Sequence, residues 1–429
     1  MQSSVDARYE ETLRYIHALE RFGVKPGLSR IAALCRALGD PQKHLRFIHV
    51  AGTNGKGSTS TMLANICKAA GYKTGLYVSP YVLDFRERIQ IDGEMIPKQR
   101  LVQVVERVRE AAGTLPDDDR PTEFELITAA ALLYYREENC GVVVLETGLG
   151  GRLDATNVID CPLVNVIVSI SLDHTAVLGD TLTAIAGEKC GTLKTGGVCV
   201  SYPFQADEAM AVIRRTAEEK GVSLIVPQPE RIGIVRESIR GTDAVIDGLS
   251  VHVPMLGRHM VYNASAVVAA ARALNRRGLT VTDEQIRAGI ADSVMPARMQ
   301  IVREQPLVLL DGGHNEGCAL AFRDAVQRFL PHRRIVGVCG LMADKAYETY
   351  LSIVAPLFDS IITVRPDNPR ALSAGELCDA AKPYCADCTA ASSFREAACL
   401  ALKKAGSDGV VAVCGSFYMI RDLQEELTK

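Results

Sequence analysis

Residues 47–59, FIHVAGTNGKGST, constrain this chain more than any other segment. An apolar run enters a turn carrying Gly52, Gly55 and Gly57, and a helix-compatible stretch follows. Strand, glycine-rich turn and helix, in that order, are the context of a phosphate-binding loop. The glycines let backbone N–H groups converge on phosphate oxygens, and the helix N-terminus adds a favourable dipole. In this reading Thr53, Asn54, Gly55, Lys56, Gly57 and Ser58 form a nucleotide-phosphate cradle. Lys56 holds the β- and γ-phosphates, and Ser58 is a Mg²⁺ ligand. The string departs from the strict G-x-x-x-x-G-K-[ST] rule, because Val50 stands at the first Gly and Gly57 separates Lys56 from Ser58. A plain glycine-rich turn is the alternative.

Around this segment, short β-branched runs alternate with longer helix-period stretches, the pattern of an α/β fold with a mostly parallel sheet. Strands are expected at Arg46–Ala51, Thr74–Ser79, Val142–Glu146 and Val164–Ile170. A helix is expected over Thr122–Asn139, opened by a T-x-x-E capping box at Thr122 and Glu125. Residues Arg231–Pro254 lose helical period and read as a small β excursion, and helical pattern resumes from Tyr262 to Arg277. Met295-Pro296 is expected to break the helix before it. Beyond it, Leu307–Asp311, Ile335–Gly340, Ser360–Val364 and Val410–Gly415 read as buried strands. The expected organisation is therefore a first domain at 1–296 and a smaller α/β domain at 297–429, with the active site in the cleft between them.

Composition removes several function classes. A net charge of −3 over 429 residues offers no basic field for nucleic acid or an anionic membrane. The N-terminal stretch MQSSVDARYEETLRYIHALERF is charged and helix-patterned, unlike a signal peptide. No apolar run reaches the length of a membrane span. Thirteen scattered cysteines read as small buried hydrophobes in a reducing compartment, which makes the cytoplasm the expected location. Cys385 and Cys388 have C-x-x-C spacing but lack a second pair for a metal site.

Three further segments carry polar groups at strand ends, where ligands bind in open parallel sheets. Val142–Asp154, VVVLETGLGGRLD, ends a buried strand on Glu146, suited to a Mg²⁺ near the phosphate loop. Ile170–His174 closes on Asp173 and His174, and Lys189 follows in TLTAIAGEKCGTLK. Val308–Asn315, VLLDGGHN, repeats the strand-and-glycine-turn arrangement late in the chain, with Arg298 just past Pro296. Taken singly, these have bland alternatives: a solvated strand end for Glu146, a structural His174, a surface Lys189 or Arg298.

Taken in order, the segments HVAGTNGKGS, SPY, FRERI, TEFELITA, LETGLGGRLDATNV, SLDHTAVLGDTLTAIAGEK, LGRH, PARM, DGGHN, LMADK, NPRAL and CGSFYM resemble the folylpolyglutamate synthase and dihydrofolate synthase family, relatives of the Mur peptide ligases. The resemblance runs nearly the whole length. It implies an α/β chain with a P-loop ATPase-like first domain and a smaller Rossmann-like second one. It implies an ATP-dependent ligase that makes an acyl phosphate on a folate or dihydropteroate carboxylate and joins it to L-glutamate. It also implies two Mg²⁺ sites, one at Ser79 and Glu146 near Ser58, the other at Glu146, His174 and a carbamate on Lys189. Lys56, His174 and Lys189 would carry the chemistry, while Asn263, Arg298, Asp311 and His314 would hold ATP. Asp344, Lys345 and Ser416 would line the cleft, and a monomer is implied. Three positions depart from the family pattern. Tyr81 stands where many members that also make dihydrofolate carry His, so this activity is not expected with the same force, and Gly313 and Glu316 replace commoner Ala and Pro. Two other readings stay open: a Mur-type ligase acting on a nucleotide-linked peptide, and a non-catalytic P-loop switch. Against the switch, the guanine-reading N-K-x-D motif is missing from the sequence.

Overall fold

All five residues of Phe47–Ala51 (β1) are buried, the mark of a strand covered on both faces. A computed structural model describes residues 2–19, 26–116 and 119–429. Thr74–Tyr77 (β2), Ile89–Ile91 (β3), Glu94–Met95 (β4), Val142–Glu146 (β5), Val164–Ile167 (β6), Val198–Ser201 (β7) and Ser223–Ile225 (β8) complete an eight-stranded sheet with β1. Its order is β4-β3-β2-β5-β1-β6-β7-β8. Only the β2–β3 and β3–β4 pairs are antiparallel. Successive side chains point to opposite faces. Ile48, Val50, Val142 and Val144 therefore pack with Met62 and Ile66 of the helix Lys56–Ala69, while Phe47, Val143 and Leu145 meet Leu126 and Leu133 of the helix Glu123–Glu137.

The strand that runs into the phosphate loop is thus central, with β5 on one side and β6 on the other. The chain leaves β1 for β2 on one side, and β6 extends the sheet on the other. That reversal gathers the ends of β1, β5 and β6 into one crevice.

Several boundaries moved for identifiable reasons. Strand β6 stops at Ile167 rather than Ile170, because the chain then swings over the loop after β1, and Ser169 O accepts both Thr53 N–H and Asn54 N–H. Strand β2 stops at Tyr77 rather than Ser79, just before Pro80, a residue without an N–H to donate. The capping box at Thr122 and Glu125 forms, and its helix ends at Glu137, with Asn139 at φ 55°. The helix before Met295-Pro296 is Asp283–Ala291, so it ends ahead of the expected break. The helix placed at Tyr262–Arg277 starts earlier, at Arg258, and passes into a 3₁₀ turn after Leu274.

The β excursion is an antiparallel meander of Ile232–Ser238 (β9), Gly241–Ile246 (β10) and Leu249–Val253 (β11). Its apolar face joins the core around the helix Arg258–Leu274. The last part of the chain forms a six-stranded sheet from Gln300–Glu304 (β12), Leu307–Asp311 (β13), Ile335–Cys339 (β14), Ser360–Thr363 (β15), Cys388–Ala390 (β16) and Val410–Cys414 (β17). Its order is β12-β13-β17-β14-β15-β16, parallel except for the edge strand β12. Leu307 and Leu309 face the helix Glu316–Phe329, and Val308 and Leu310 face the helix Ile420–Thr428.

The N-terminal stretch is helical over Gln2–His17, and its last residues, 20–22, lie outside those described. All thirteen cysteines are free thiols, most of them buried, and among the described residues no group of three His, Cys, Asp or Glu side chains is arranged to hold a metal. Of the C-x-x-C pair, Cys385 is buried and Cys388 half-buried. Among the described residues, no helix is long and apolar enough to cross a membrane.

Candidate active site

The turn after β1 is built for close approach. Gly52 has φ 147°, and a Cβ there would lie 2.2 Å from Val168 Cγ2. Gly55 has φ 92°, and a Cβ would lie 2.5 Å from Asn263 Nδ2. Only glycine tolerates both the dihedral and the contact. Gly55 is also the N-cap of Lys56–Ala69 and brings no side chain to the first helical amides. Those amides lack intrahelical acceptors and face outward as anion donors.

The loop's other polar groups are occupied. Thr53 Oγ1 donates to Ser171 O at 3.1 Å and accepts Ser171 N–H. Asn54 Nδ2 donates to Ser171 Oγ and to Asn315 Oδ1. Thr53 and Asn54, read as phosphate ligands, thus brace the loop with both backbone and side chain. Lys56 Nζ folds back to Thr53 O at 3.2 Å, above the cradle.

Glu146 ends β5 beside it, buried, its Oε2 accepting the Ser79 N–H at 3.2 Å. Burial raises its carboxyl to about 7, with Lys56, the Ser79 N–H and Arg298 pulling the other way. Ser58 Oγ is buried with no hydrogen-bond partner, and so is Asn263 Oδ1. A buried carboxylate and an unpartnered hydroxyl at adjoining strand and helix ends suit a hard, oxygen-seeking cation that keeps much of its water. Ser58 and Glu146 therefore fit Mg²⁺, with Ser79 beside them through its N–H to Glu146.

Lys189 is buried in the helix Leu182–Cys190, and its Nζ donates to Gly52 O at 2.7 Å. Burial lowers its pKa to about 7, and Lys56 adds to the effect. Near neutrality a large fraction is the free amine, the form that can combine with CO₂. As an ammonium, Lys189 is no metal ligand. His174 sits in the left-handed region at φ 50°, ahead of the short turn Thr175–Leu178. Partial burial lowers its pKa, Asp173 opposes this, and Lys345, His314 and Lys56 add to the lowering, so the imidazole is neutral near pH 7. The Lys56 charge acts on Glu146, His174 and Lys189 alike.

The C-terminal sheet meets this crevice through the end of β13. Asp311 is buried, with Oδ1 accepting Gly313 N–H at 2.8 Å and Oδ2 accepting Met299 N–H at 3.1 Å, so it fastens the linker to the glycine turn. Arg298 lies over the Phe417 ring at 4.6 Å, and the His314 ring meets the same Phe417 edge-on. Asp173 is the meeting point. It takes Lys345 Nζ at 2.6 Å and Asn315 Nδ2 at 3.0 Å, with His314 Nε2 3.7 Å away. Burial disfavours its charge, but His314, His174 and Lys345 outweigh that and hold its pKa far below the carboxylate range. Asp344 turns aside to an exposed pair with Arg370, and Ser416 Oγ caps the turn at Tyr418. A cavity of about 500 Å³ lies between the meander and the C-terminal sheet, and of the site residues only Arg298 reaches it. Phe417 and Asn315 carried no separate role in the sequence reading, although both lie inside strings it singled out.

A Mur ligase middle domain model matches residues 50–271, and a Mur ligase glutamate ligase domain model matches residues 297–417. The dihydrofolate synthase/folylpolyglutamate synthase of Bacillus subtilis is 34% identical over 440 residues, spanning 98% of this chain and 99% of that protein. The chain belongs to the folylpolyglutamate synthase and dihydrofolate synthase family. Two solved structures of the family show the same fold. Mycobacterium tuberculosis folylpolyglutamate synthase, complexed with ADP and AMPPCP, matches with a TM-score of 0.89 at 28% identity, over 98% of this chain and 99% of that one. Escherichia coli FolC in complex with DHPP and ADP matches with a TM-score of 0.86 at 30% identity, over 96% and 97%. As a member of this Mur-ligase family, the chain is an ATP-dependent ligase with a Mur-ligase-like α/β fold.

Proposed function

We propose that this protein joins L-glutamate to the γ-carboxylate of a reduced folate, in the crevice formed by the ends of β1, β5 and β6 and the glycine turn after β13. Glutamate ligation to folate is the activity named for its relatives. A carboxylate is a poor acyl donor, since an attacking amine would have to expel oxide. Transfer of the ATP γ-phosphoryl to a carboxylate oxygen makes an acyl phosphate and ADP. The glutamate amine then attacks the carbonyl carbon, loses a proton, and phosphate leaves with its bonding pair.

The observation that carries the reading is the pairing of a preformed phosphate loop with the buried, unpartnered Ser58 hydroxyl and the Glu146 carboxyl at the adjoining strand end. Lys56 and the first amides of its helix would bind the β- and γ-phosphates and spread their charge. Ser58, Ser79 and Glu146 would hold one Mg²⁺. Glu146, His174 and a carbamate on Lys189 would hold a second. Bound there, Mg²⁺ would neutralise phosphate oxygens and the carboxylate that accepts the phosphoryl group. Asn263, Arg298, Asp311 and His314 would orient the rest of ATP. Residues 1–296 would act as the ATPase domain and 297–429 as its partner, in a cytoplasmic monomer.

Dihydropteroate is the second acceptor to consider, since several relatives are named for both activities. Tyr81 bears on this choice. Its ring packs edge-on against Phe85 at 5.5 Å and lies under the Arg88 guanidinium at 5.3 Å. A phenol lacks the ring nitrogens that a histidine would offer at this position, and on that ground folate is favoured over dihydropteroate. The test is ADP release with Mg²⁺, ATP and glutamate, supplying either tetrahydrofolate or dihydropteroate, with Lys56→Ala as control. Turnover with folate alone is expected. Turnover with both acceptors would remove the Tyr81 argument, and Lys56→Ala turning over like wild type would remove the role of the loop lysine.

A further inference from the structure

Asp173 does two things at once. Its Oδ1 accepts the backbone N–H of His174 at 2.8 Å and also the Nζ of Lys345 at 2.6 Å. The first bond is local: a side-chain oxygen satisfies the amide of a residue in the left-handed region, at φ 50°. A non-glycine residue in that region is uncommon, histidine being one of those that tolerate it, and the Asp173 oxygen gives its amide a partner there. The second bond reaches 172 residues along the chain, to the loop after β14. Both ends of the ion pair are nearly enclosed, with the Asp173 and Lys345 side chains 11% and 12% exposed. Asn315 Nδ2 fixes the other carboxylate oxygen at 3.0 Å, so Asp173 has one rotamer that serves all three partners.

We infer that Lys345 positions His174 through Asp173: the C-terminal lysine orients the carboxylate, and the carboxylate holds the backbone that carries the imidazole. Asp173 and Lys345 are positioning residues, and the inference rests on the proposed place of His174 in the site. The arrangement makes the imidazole's position conditional on the C-terminal sheet being seated against the phosphate loop. When that sheet withdraws, Lys345 and Asn315 leave Asp173, and the His174 turn loses its brace.

The test is a double-mutant cycle on ADP release with Mg²⁺, ATP, tetrahydrofolate and glutamate. Asp173→Ala and Lys345→Met are each expected to lower kcat by about 10- to 100-fold and to raise the Mg²⁺ concentration for half-maximal rate, the usual effect of disturbing an outer-shell partner. The KM for ATP is expected to stay unchanged. Asp173→Asn, which keeps an oxygen for the His174 N–H, should lose less than Asp173→Ala, and Lys345→Arg should recover much of the Lys345→Met loss. The double variant Asp173→Asn/Lys345→Met should be no slower than the worse single variant. Additive losses, or a Lys345→Met defect confined to the KM of glutamate or folate, would overturn the inference by showing that Lys345 acts without Asp173. His174→Ala separates the two levels: near-wild-type turnover there removes the site reading, whereas a dead His174→Ala beside active Asp173 and Lys345 variants removes only the positioning. If Asp173→Ala melts too low to assay, the Asp173→Asn and Lys345→Met arms still decide.

Discussion

The side-chain amides of Asn54 and Asn315, 261 residues apart, exchange two hydrogen bonds, Asn54 Nδ2 to Asn315 Oδ1 at 3.2 Å and Asn315 Nδ2 to Asn54 Oδ1 at 2.9 Å. The phosphate loop is therefore stitched directly to the glycine turn of the C-terminal sheet. Asn315 also caps the helix Glu316–Phe329 through Cys318 N–H. Asn315→Asp keeps that cap, since aspartate is an equally good N-cap. It deletes the donor to Asn54 and sets a second carboxylate against Asp173. Losing a hydrogen bond to a charged group costs about 1.5–3 kcal/mol. We expect kcat/KM for ATP to fall by about 10- to 100-fold, with a lower Tm and partial recovery at high salt. Equal losses in Asn315→Asp and Asn315→Ala would show that charge repulsion plays no part.

Glu146 sets a trade between stability and function. Its carboxyl titrates near 4.5 in the open chain and about 7 in the fold, with burial as the main cause. A group that binds its proton more tightly when folded subtracts stability as pH rises from about 4.5 to about 7, a total of about 3 kcal/mol that is fully lost at pH 8. Glu146→Gln removes the titration. Without nucleotide or Mg²⁺, the variant should melt higher than wild type at pH 8 and close to it at pH 5, while ADP release disappears. Calorimetry at the two pH values checks this, and identical melting at pH 8 would contradict it.

Gly55 allows no side chain. Gly55→Ala would place a methyl at φ 92° and 2.5 Å from Asn263 Nδ2. Backbone strain of this kind costs about 1–3 kcal/mol, and the displaced Asn263 adds to it. ADP affinity by titration calorimetry should drop by about 10- to 100-fold. Gly71→Ala, at a positive φ of 84° with open space around it, is the control for dihedral strain away from the loop.

Lys189 should make activity depend on dissolved CO₂. Its amine, lowered to about 7 by burial, gains its neutral form as pH rises through neutrality. Rates in CO₂-depleted buffer should be low at pH 6 and recover on adding bicarbonate at pH 8. Lys189→Ala should lose turnover, and millimolar acetate should restore part of it if a carboxylate is what the position supplies. Full activity in Lys189→Ala would exclude that role.

The framework of the site was legible because it rests on local rules. The run from Phe47 to Ser58 carries its own strand, turn and helix signals, and β5 announces itself as VVVLE before a glycine stretch. The Thr122–Glu125 capping box was readable for the same reason, since all its partners lie within four residues. What the sequence did not carry were contacts between distant segments. Nothing near Asp173 marks Lys345 as its partner, and nothing near Asn54 marks Asn315. Thr53 and Asn54 looked like phosphate ligands because their position in the loop is visible in one dimension, whereas Ser169 and Ser171, which take up their polar groups, arrive from β6. The early end of β6 has the same origin: residues 168–170 are apolar enough for a strand, but the Ser169 carbonyl serves the neighbouring loop and the Val168 carbonyl takes the Gln205 side chain.

The double acceptance at Ser169 O has a thermodynamic consequence. Two successive amides of the loop, at Thr53 and Asn54, are held by one carbonyl before any nucleotide arrives. Immobilising a flexible residue costs about 1–2 kcal/mol of conformational entropy, and here folding has already met that cost. Nucleotide capture can then proceed as a rigid key entering a finished lock.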